Sequence, residues 1–185
     1  KAWMYLGNKG IVNQDGAMFT IRRAEEKDWP GIYSILVEVV GRGETYAINP
    51  SAGEKDLKEL WMIQPAATFV ALMDDACVGT YYLKPNREGG GAHVCNAGYM
   101  VCSSKRRRGI GKAMCGHSLK TALNMGFEAM QYNLVVSTNE GAIKLWKSLG
   151  FFVVGTLPRA FRHPLFGPVD ALIMYRILKP ENAQG

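Results

Sequence analysis

Ten residues, KRRRGIGKAM from Lys105 to Met114, set four cations directly before two glycines one residue apart. Glycines let a backbone approach a ligand closely, and successive N–H groups at the start of a helix sum to an anion site. With the flanking arginines, a pyrophosphate is the natural fit. The Walker phosphate loop is excluded, because Gly111-Lys112 would need glycine at 106 and a hydroxyl at 113, where the chain has Arg106 and Ala113. The dinucleotide pattern fails too, since Gly109-x-Gly111 is followed three residues on by Met114. A solvated basic turn that merely starts a helix stays open at this point. A second chemical feature is a pair of amides: Asn96 and Asn133 each interrupt an otherwise apolar run. A buried amide without partners costs about 1–3 kcal/mol, so something must bind each of them, and tying a bulge between two splayed strands is one way to do it.

The elements that must position these groups follow from periodicity. Residues 1–16 carry several Gly and Asn and are expected to form an N-terminal arm or edge strand, with 17–185 a single domain. AMFTIRRA predicts a strand, and EEKDWPGIYSILVEVVGRG a helix with Asp28 as its cap and Pro30 in the first turn. The loop GETYAINPSAG leads to a second helix over 55–62, carried by Leu57, Leu60 and Trp61. TFVALMDD and CVGTYYLKPN predict a hairpin turning at Asp74 and Asp75, and AHVCNAGYMV a strand apolar on both faces and therefore central. The glycine turn opens a helix to about Met125 with Cys115, Leu119, Ala122 and Gly126 on one face. EAMQYNLVV is a buried strand. STNEGAIKLWKSLG predicts a helix with a Ser137/Glu140 capping box, an apolar stripe at Ala142, Leu145, Trp146 and Leu149, and Gly150 as its stop. FFVVGTL and VDALIMYRIL predict two last strands. Without strict alternation of strand and helix, the expectation is an α+β domain on one mostly antiparallel sheet.

Composition narrows the function classes. The net charge of +6 favours anionic partners but is concentrated at Lys105–Arg108, which suits a phosphorylated small molecule as well as a duplex. A nucleic-acid module would want recognition-helix polar residues or aromatic stacking beside those cations, and neither is clear. No apolar run reaches the roughly 18 residues of a membrane span, and the start lacks a secretory signal, so a soluble cytoplasmic protein without membrane contact is expected. Cys77, Cys95, Cys102 and Cys115 contain no C-x-x-C pair, and no metal site is predicted.

Together, YMVCSSKRRRGIGKAM and NEGAIKLWKSLGF, in the order strand, glycine turn, helix, strand, Asn-led helix, strand, resemble the GCN5-related N-acetyltransferase superfamily. The resemblance implies a twisted, mostly antiparallel mixed sheet with splayed central strands and about four helices. It implies acetyl-CoA as cosubstrate, its pyrophosphate on Arg106, Arg107, Arg108, Gly109, Ile110, Gly111 and Lys112, its pantetheine along Tyr99, Met100 and Val101, and Asn139 against the cofactor arm. One departure is Trp146, where many members have a tyrosine that protonates the leaving thiolate; an indole N–H has no useful acidity, and core packing is the expected role. A narrower resemblance, carried by YYLKPN, HVCNAGYMV, YNLVVSTN and GPVDALI over residues 43–173, is to the proline-analogue acetyltransferases of yeasts, which act on azetidine-2-carboxylate and related cyclic amino acids. It implies a small amine or imino acid acceptor whose carboxylate meets Asn133 and the Leu134 amide, with Asn96 orienting the nucleophile or a bridging water. Tyr46 and Trp61 are candidates for the pocket wall, or plain core aromatics. No glutamate stands where many members place a base, and His93 is a weak substitute. A protein N-terminal or lysine acetyltransferase is the alternative on the same fold, and a homodimer is compatible with either.

Overall fold

Val70 and Met100 face one side of a sheet while Phe69, Ala71, Tyr99 and Val101 face the other, and this two-residue period splits the core into two clusters. The computed structural model describes residues 4–5, 11–12 and 18–178. Among these, strands β1 (Met4–Tyr5), β2 (Ile11–Val12), β3 (Met18–Arg23), β4 (Ala67–Met73), β5 (Ala76–Pro85), β6 (Val94–Val101), β7 (Ala129–Val136), β8 (Phe152–His163) and β9 (Gly167–Ile177) form one sheet, ordered β1-β2-β3-β4-β5-β6-β7-β9-β8. Helices are α1 (Trp29–Gly41), α2 (Glu54–Lys58), α3 (Ile110–Asn124) and α4 (Glu140–Ser148). The first two pack with Val70 and Met100 on one face, while the last two pack with Tyr81, Leu83 and Met130 on the other. Of the predicted arm at 1–16, only the short β1 and β2 fall within the described residues; the remainder lies outside them.

Every strand pair is antiparallel except β6 with β7, which are parallel and joined only at Val94–Ala129 and Cys95–Met130. Beyond those two pairs the central strands part. This is the α+β architecture with a splayed mixed sheet, and the gap between β6 and β7 is where the molecule opens. The hairpin turn at Asp74 and Asp75 has both residues at positive φ, 50° and 60°, the twist that matches antiparallel strands.

Several local expectations shift. Asp28 stands before α1 but does not cap it: its carboxylate is taken by the two terminal guanidinium nitrogens of Arg22, at 2.7 and 2.8 Å, and by the Glu25 N–H at 2.7 Å. The second helix covers the predicted 55–62, but only its first part, α2, is α-helical; it continues directly as a π turn at Glu59–Ile63, which carries the buried Trp61. The buried stripe of α3 runs through Ile110, Met114, Cys115, Ser118 and Ala122, while Gly126 is exposed beyond the helix end at φ 87°. Asn139, not a Ser137/Glu140 box, caps α4, its Oδ1 accepting the Ala142 N–H at 3.3 Å; Ser137 is still held to the sheet, donating its N–H to Asp170 O at 2.9 Å. The last strands extend past Leu157 to make a long hairpin.

The Arg22 pair holds the Asp28 carboxyl below its ordinary value, with the Glu25 N–H adding to the effect. A depressed carboxylate pKa contributes stability above the unfolded value and loses it as pH falls through the folded one. Asp28→Ala should therefore lower stability by about 1–3 kcal/mol at neutral pH. In urea melts the gap to the wild type should close as pH drops below about 4.

Candidate functional site

The turn between β6 and α3 begins with Glu38 of α1 accepting the Ser103 N–H at 3.3 Å, and hydrogen bonds from Ser103 hold that carboxyl below its usual range. Arg107 then adopts φ 61°, a left-handed geometry that costs a non-glycine residue about 1 kcal/mol, and Gly109 follows at φ 78°. Gly109 is the N-cap of α3 and supplies no side chain to cap it; the first helical bond runs from Ala113 N to Gly109 O. The N–H groups of Ile110, Gly111 and Lys112 therefore have no partner within the helix and carry its positive end. Such a turn fits a pyrophosphate.

This cradle opens into a cleft of about 870 Å³ that follows the gap between β6 and β7. The volume is in the range of sites for cofactor-sized ligands. Lys105, Arg106, Arg107, Gly109, Ile110, Gly111 and Lys112 line one end; Tyr99, Met100 and Val101 line the β6 edge, and Asn139 the start of α4. Toward the other end stand Tyr46, Trp61, Asn96, Asn133 and Leu134. Arg108, placed on the pyrophosphate by the resemblance, is exposed and not part of the cleft wall. His93 is also exposed and outside it. Among the described residues, no aspartate, glutamate or histidine lines the cleft.

Both amides have partners. Asn96 donates from Nδ2 to the Gln131 carbonyl at 2.9 Å, one residue beyond the last β6–β7 pair, and accepts the Tyr82 hydroxyl at 3.1 Å. It stitches the two strands at the fork. Asn133 donates to Asn86 Oδ1 at 2.7 Å and accepts from Gln131 Nε2 at 2.8 Å. It lies with Leu134 in a bulge of β7, where pairing with β9 slips between Tyr132 and Val135.

The Tyr46 hydroxyl accepts the Tyr99 N–H at 2.8 Å and donates to the Tyr99 carbonyl at 2.7 Å, and burial keeps this phenol neutral. It thus holds both main-chain groups of a residue at the β6 edge. The ring meets Trp61 edge-on at 6.1 Å, and Trp61 meets Tyr82 at 4.8 Å. Tyr82 fits only because residue 98 is glycine: a Cβ there would lie 2.6 Å from the ring. On the opposite face, Trp146 is buried, as packing on α4 predicts, 5.1 Å from both Tyr99 and Tyr132. Beneath it Tyr132 donates to the Tyr99 hydroxyl at 3.2 Å, and Tyr99 shares a 2.5 Å bond with Ser118; burial pushes both phenols well above their ordinary pKa. Sequence reasoning missed Tyr82, Lys84 and Asn86. The missed signal is their i, i+2, i+4 spacing in YYLKPN, which puts all three on the face of Asn96.

A fork in a mixed sheet, with an anion cradle at a helix start beside it, suits an extended ligand that ends in a pyrophosphate. Residues 21–151 match the family described as the Acetyltransferase (GNAT) family. The chain belongs to that family. It is 39% identical over 99 residues to N-acetyltransferase aca1 of Schizosaccharomyces pombe, a match covering 52% of this chain and 46% of that protein. The chain thus spans less than half the length of this curated relative. A GCN5-related N-acetyltransferase from Kribbella flavida superimposes with a TM-score of 0.83 at 44% identity, over 86% of this chain and 98% of that one. A phosphinothricin acetyltransferase from Sinorhizobium meliloti, solved in complex with acetyl-CoA, shares the fold at a TM-score of 0.77 and 22% identity, over 89% of this chain and 94% of that one. Among the described residues, no three His, Cys, Asp or Glu side chains are grouped to hold a metal ion, and no helix is long and apolar enough to cross a membrane.

Proposed function

We propose that the domain acetylates the nitrogen of a small amine or imino acid that bears a carboxylate, an amino acid or proline analogue, in the cytoplasm. The observation that carries this reading is the wall of the cleft away from the cradle, which is mainly aromatic and amide in character and, among the described residues, holds no acidic one. Tyr46, Trp61 and Tyr82 suit a compact apolar body, and the Asn133–Leu134 bulge suits a carboxylate. A cationic peptide or lysine side chain calls for acidic neighbours, which the wall lacks. The cations that suggested nucleic acid, Lys105, Arg106 and Arg107, border the cleft rather than a separate open face.

Acetyl-CoA supplies the acyl group as a thioester, and the acceptor nitrogen displaces the thiol. Gly109 to Lys112 hold the pyrophosphate through backbone N–H groups, and the edge of β6 at Tyr99 to Val101 aligns the arm and presents an N–H to the oxygen that gains charge. Asn139 borders the arm. With no carboxylate or imidazole in the wall, the acceptor ammonium loses its proton to water held near Asn96, so kcat/KM should rise with pH as the acceptor deprotonates.

The test is release of free thiol from acetyl-CoA across amino acids, cyclic imino acids, polyamines and peptides bearing free N-termini. Turnover confined to the carboxylate-bearing small molecules is the expected result. Preferential turnover of peptides, or of polyamines, would replace this reading by another.

A further inference from the structure

Lys84 is a cation of the cleft that the phosphate cradle does not use. It lies on β5 directly opposite Asn96 on β6, so the two side chains leave the same face of the sheet. It lines the cleft, half-buried, with Nζ 5.4 Å from the centre of the Tyr82 ring. Among the described residues it makes no ion pair and no hydrogen bond.

The other cations of the wall, Lys105, Arg106, Arg107 and Lys112, follow the end of β6. Asn96 lies five residues before that end at Val101, a distance of about 17 Å along an extended strand. A pyrophosphate on the Gly109 turn therefore does not reach Lys84. Close to Lys84 lies the amide set instead: Asn86, two residues on along the chain, accepts from Asn133, and Asn96 bonds the Gln131 carbonyl. A half-buried ammonium on an aromatic wall, with no acidic residue among the described lining residues, attracts an anion more strongly than one in water. The neutral amides nearby can offer an anion hydrogen bonds but no charge.

We propose that Lys84 pairs with the carboxylate of the acceptor and sets the preference of the enzyme for carboxylate-bearing amines. This rests on the reading of a carboxylate-bearing acceptor given above. Lys84 binds the carboxylate against the Asn133 bulge and leaves the acceptor nitrogen facing the β6–β7 fork, while its charge disfavours polyamines and other acceptors that are purely cationic. It is a specificity residue, with no part in proton transfer.

The experiment compares each acid with its own carboxamide, azetidine-2-carboxylate with azetidine-2-carboxamide and several amino acids with their amides, in the wild type, Lys84→Gln and Lys84→Arg. Wild type should favour acids. In Lys84→Gln, kcat/KM for acids should fall about 10- to 100-fold, mostly through KM, with amides little changed; Lys84→Arg should keep much of the preference. The KM for acetyl-CoA should not move. If wild type favours acids but Lys84→Gln keeps the same acid-to-amide ratio, or loses both equally, the role of Lys84 is overturned while the carboxylate reading stands. If wild type shows no preference, or turns over neither acids nor amides, the carboxylate reading falls and the role of Lys84 falls with it.

Discussion

Gly111→Val should weaken acetyl-CoA binding at least about 100-fold while leaving the protein folded and melting within about 1 kcal/mol of the wild type. The two glycines of the cradle do different work, and this variant separates them. Gly109 has φ 78°, so any L side chain there strains the turn itself. Gly111 is within α3, and a Cβ built on it would meet Leu145 Cδ2 at 3.6 Å and Val101 Cγ2 at 4.0 Å, ordinary contact distances. A Cβ at 111 therefore meets no clash, and replacing glycine inside a helix offsets part of the cost of placing valine's γ-carbons. What it removes is the close approach of a ligand to the exposed N–H groups. Losing two charge-assisted hydrogen bonds, each about 1.5 kcal/mol, corresponds to roughly 100-fold in affinity. A thermal shift titrated with CoA reads both quantities in one experiment: a normal melt without ligand and no upward shift with it. A variant that melts normally and is still stabilised by CoA would move the phosphate site away from this turn.

The glycine turn that opens α3 was legible because everything it needs lies within ten residues: the cations, the glycine spacing and the helix start. The strands were legible for the same reason, through alternation and turn chemistry, and β6 was expected centrally because both its faces are apolar. Where the outcome depended on partners distant in sequence, local pattern misled. Ser137 reads as a helix cap, yet the sheet keeps it through Asp170, 33 residues on, and the cap passes to Asn139. FFVVGTL stops at Leu157, yet β8 runs on through Pro158 to His163 at the sheet edge, where a missing N–H costs nothing. Asp28 reads as a cap until the strand before it brings Arg22 alongside. The two amides show the limit most clearly. That Asn96 and Asn133 must have partners followed from the cost of leaving a buried amide unpaired, and the bulge-tying alternative anticipated the Asn96 bond across the fork. That Asn133 meets Asn86, 47 residues away, required the register of three strands.

Tyr46→Phe should bind acetyl-CoA more tightly, by about tenfold. The sign is the informative part, because a wall residue that contacts the acceptor would on truncation weaken acceptor binding and leave acetyl-CoA unaffected. The hydroxyl of Tyr46 satisfies the N–H and the carbonyl of Tyr99 together, with bonds of 2.8 and 2.7 Å. An acyl-pantetheine arm laid along this edge of β6 takes the same main-chain groups, so the hydroxyl and the arm compete. Removing the hydroxyl leaves two backbone groups to seek other partners, which destabilises the free protein by about 1–3 kcal/mol and favours whatever satisfies them. A tenfold gain corresponds to about 1.4 kcal/mol, the lower part of that range, because water takes up some of the released bonding. The ring itself stays packed against Trp61, so the loop between α1 and α2 keeps its place. Calorimetric titration with acetyl-CoA measures the gain, and a melt of the free protein measures the matching loss. Weaker binding of acetyl-CoA by Tyr46→Phe would mean that the hydroxyl remains on Tyr99 in the complex and helps to build the site, with the arm anchored on Val101 instead.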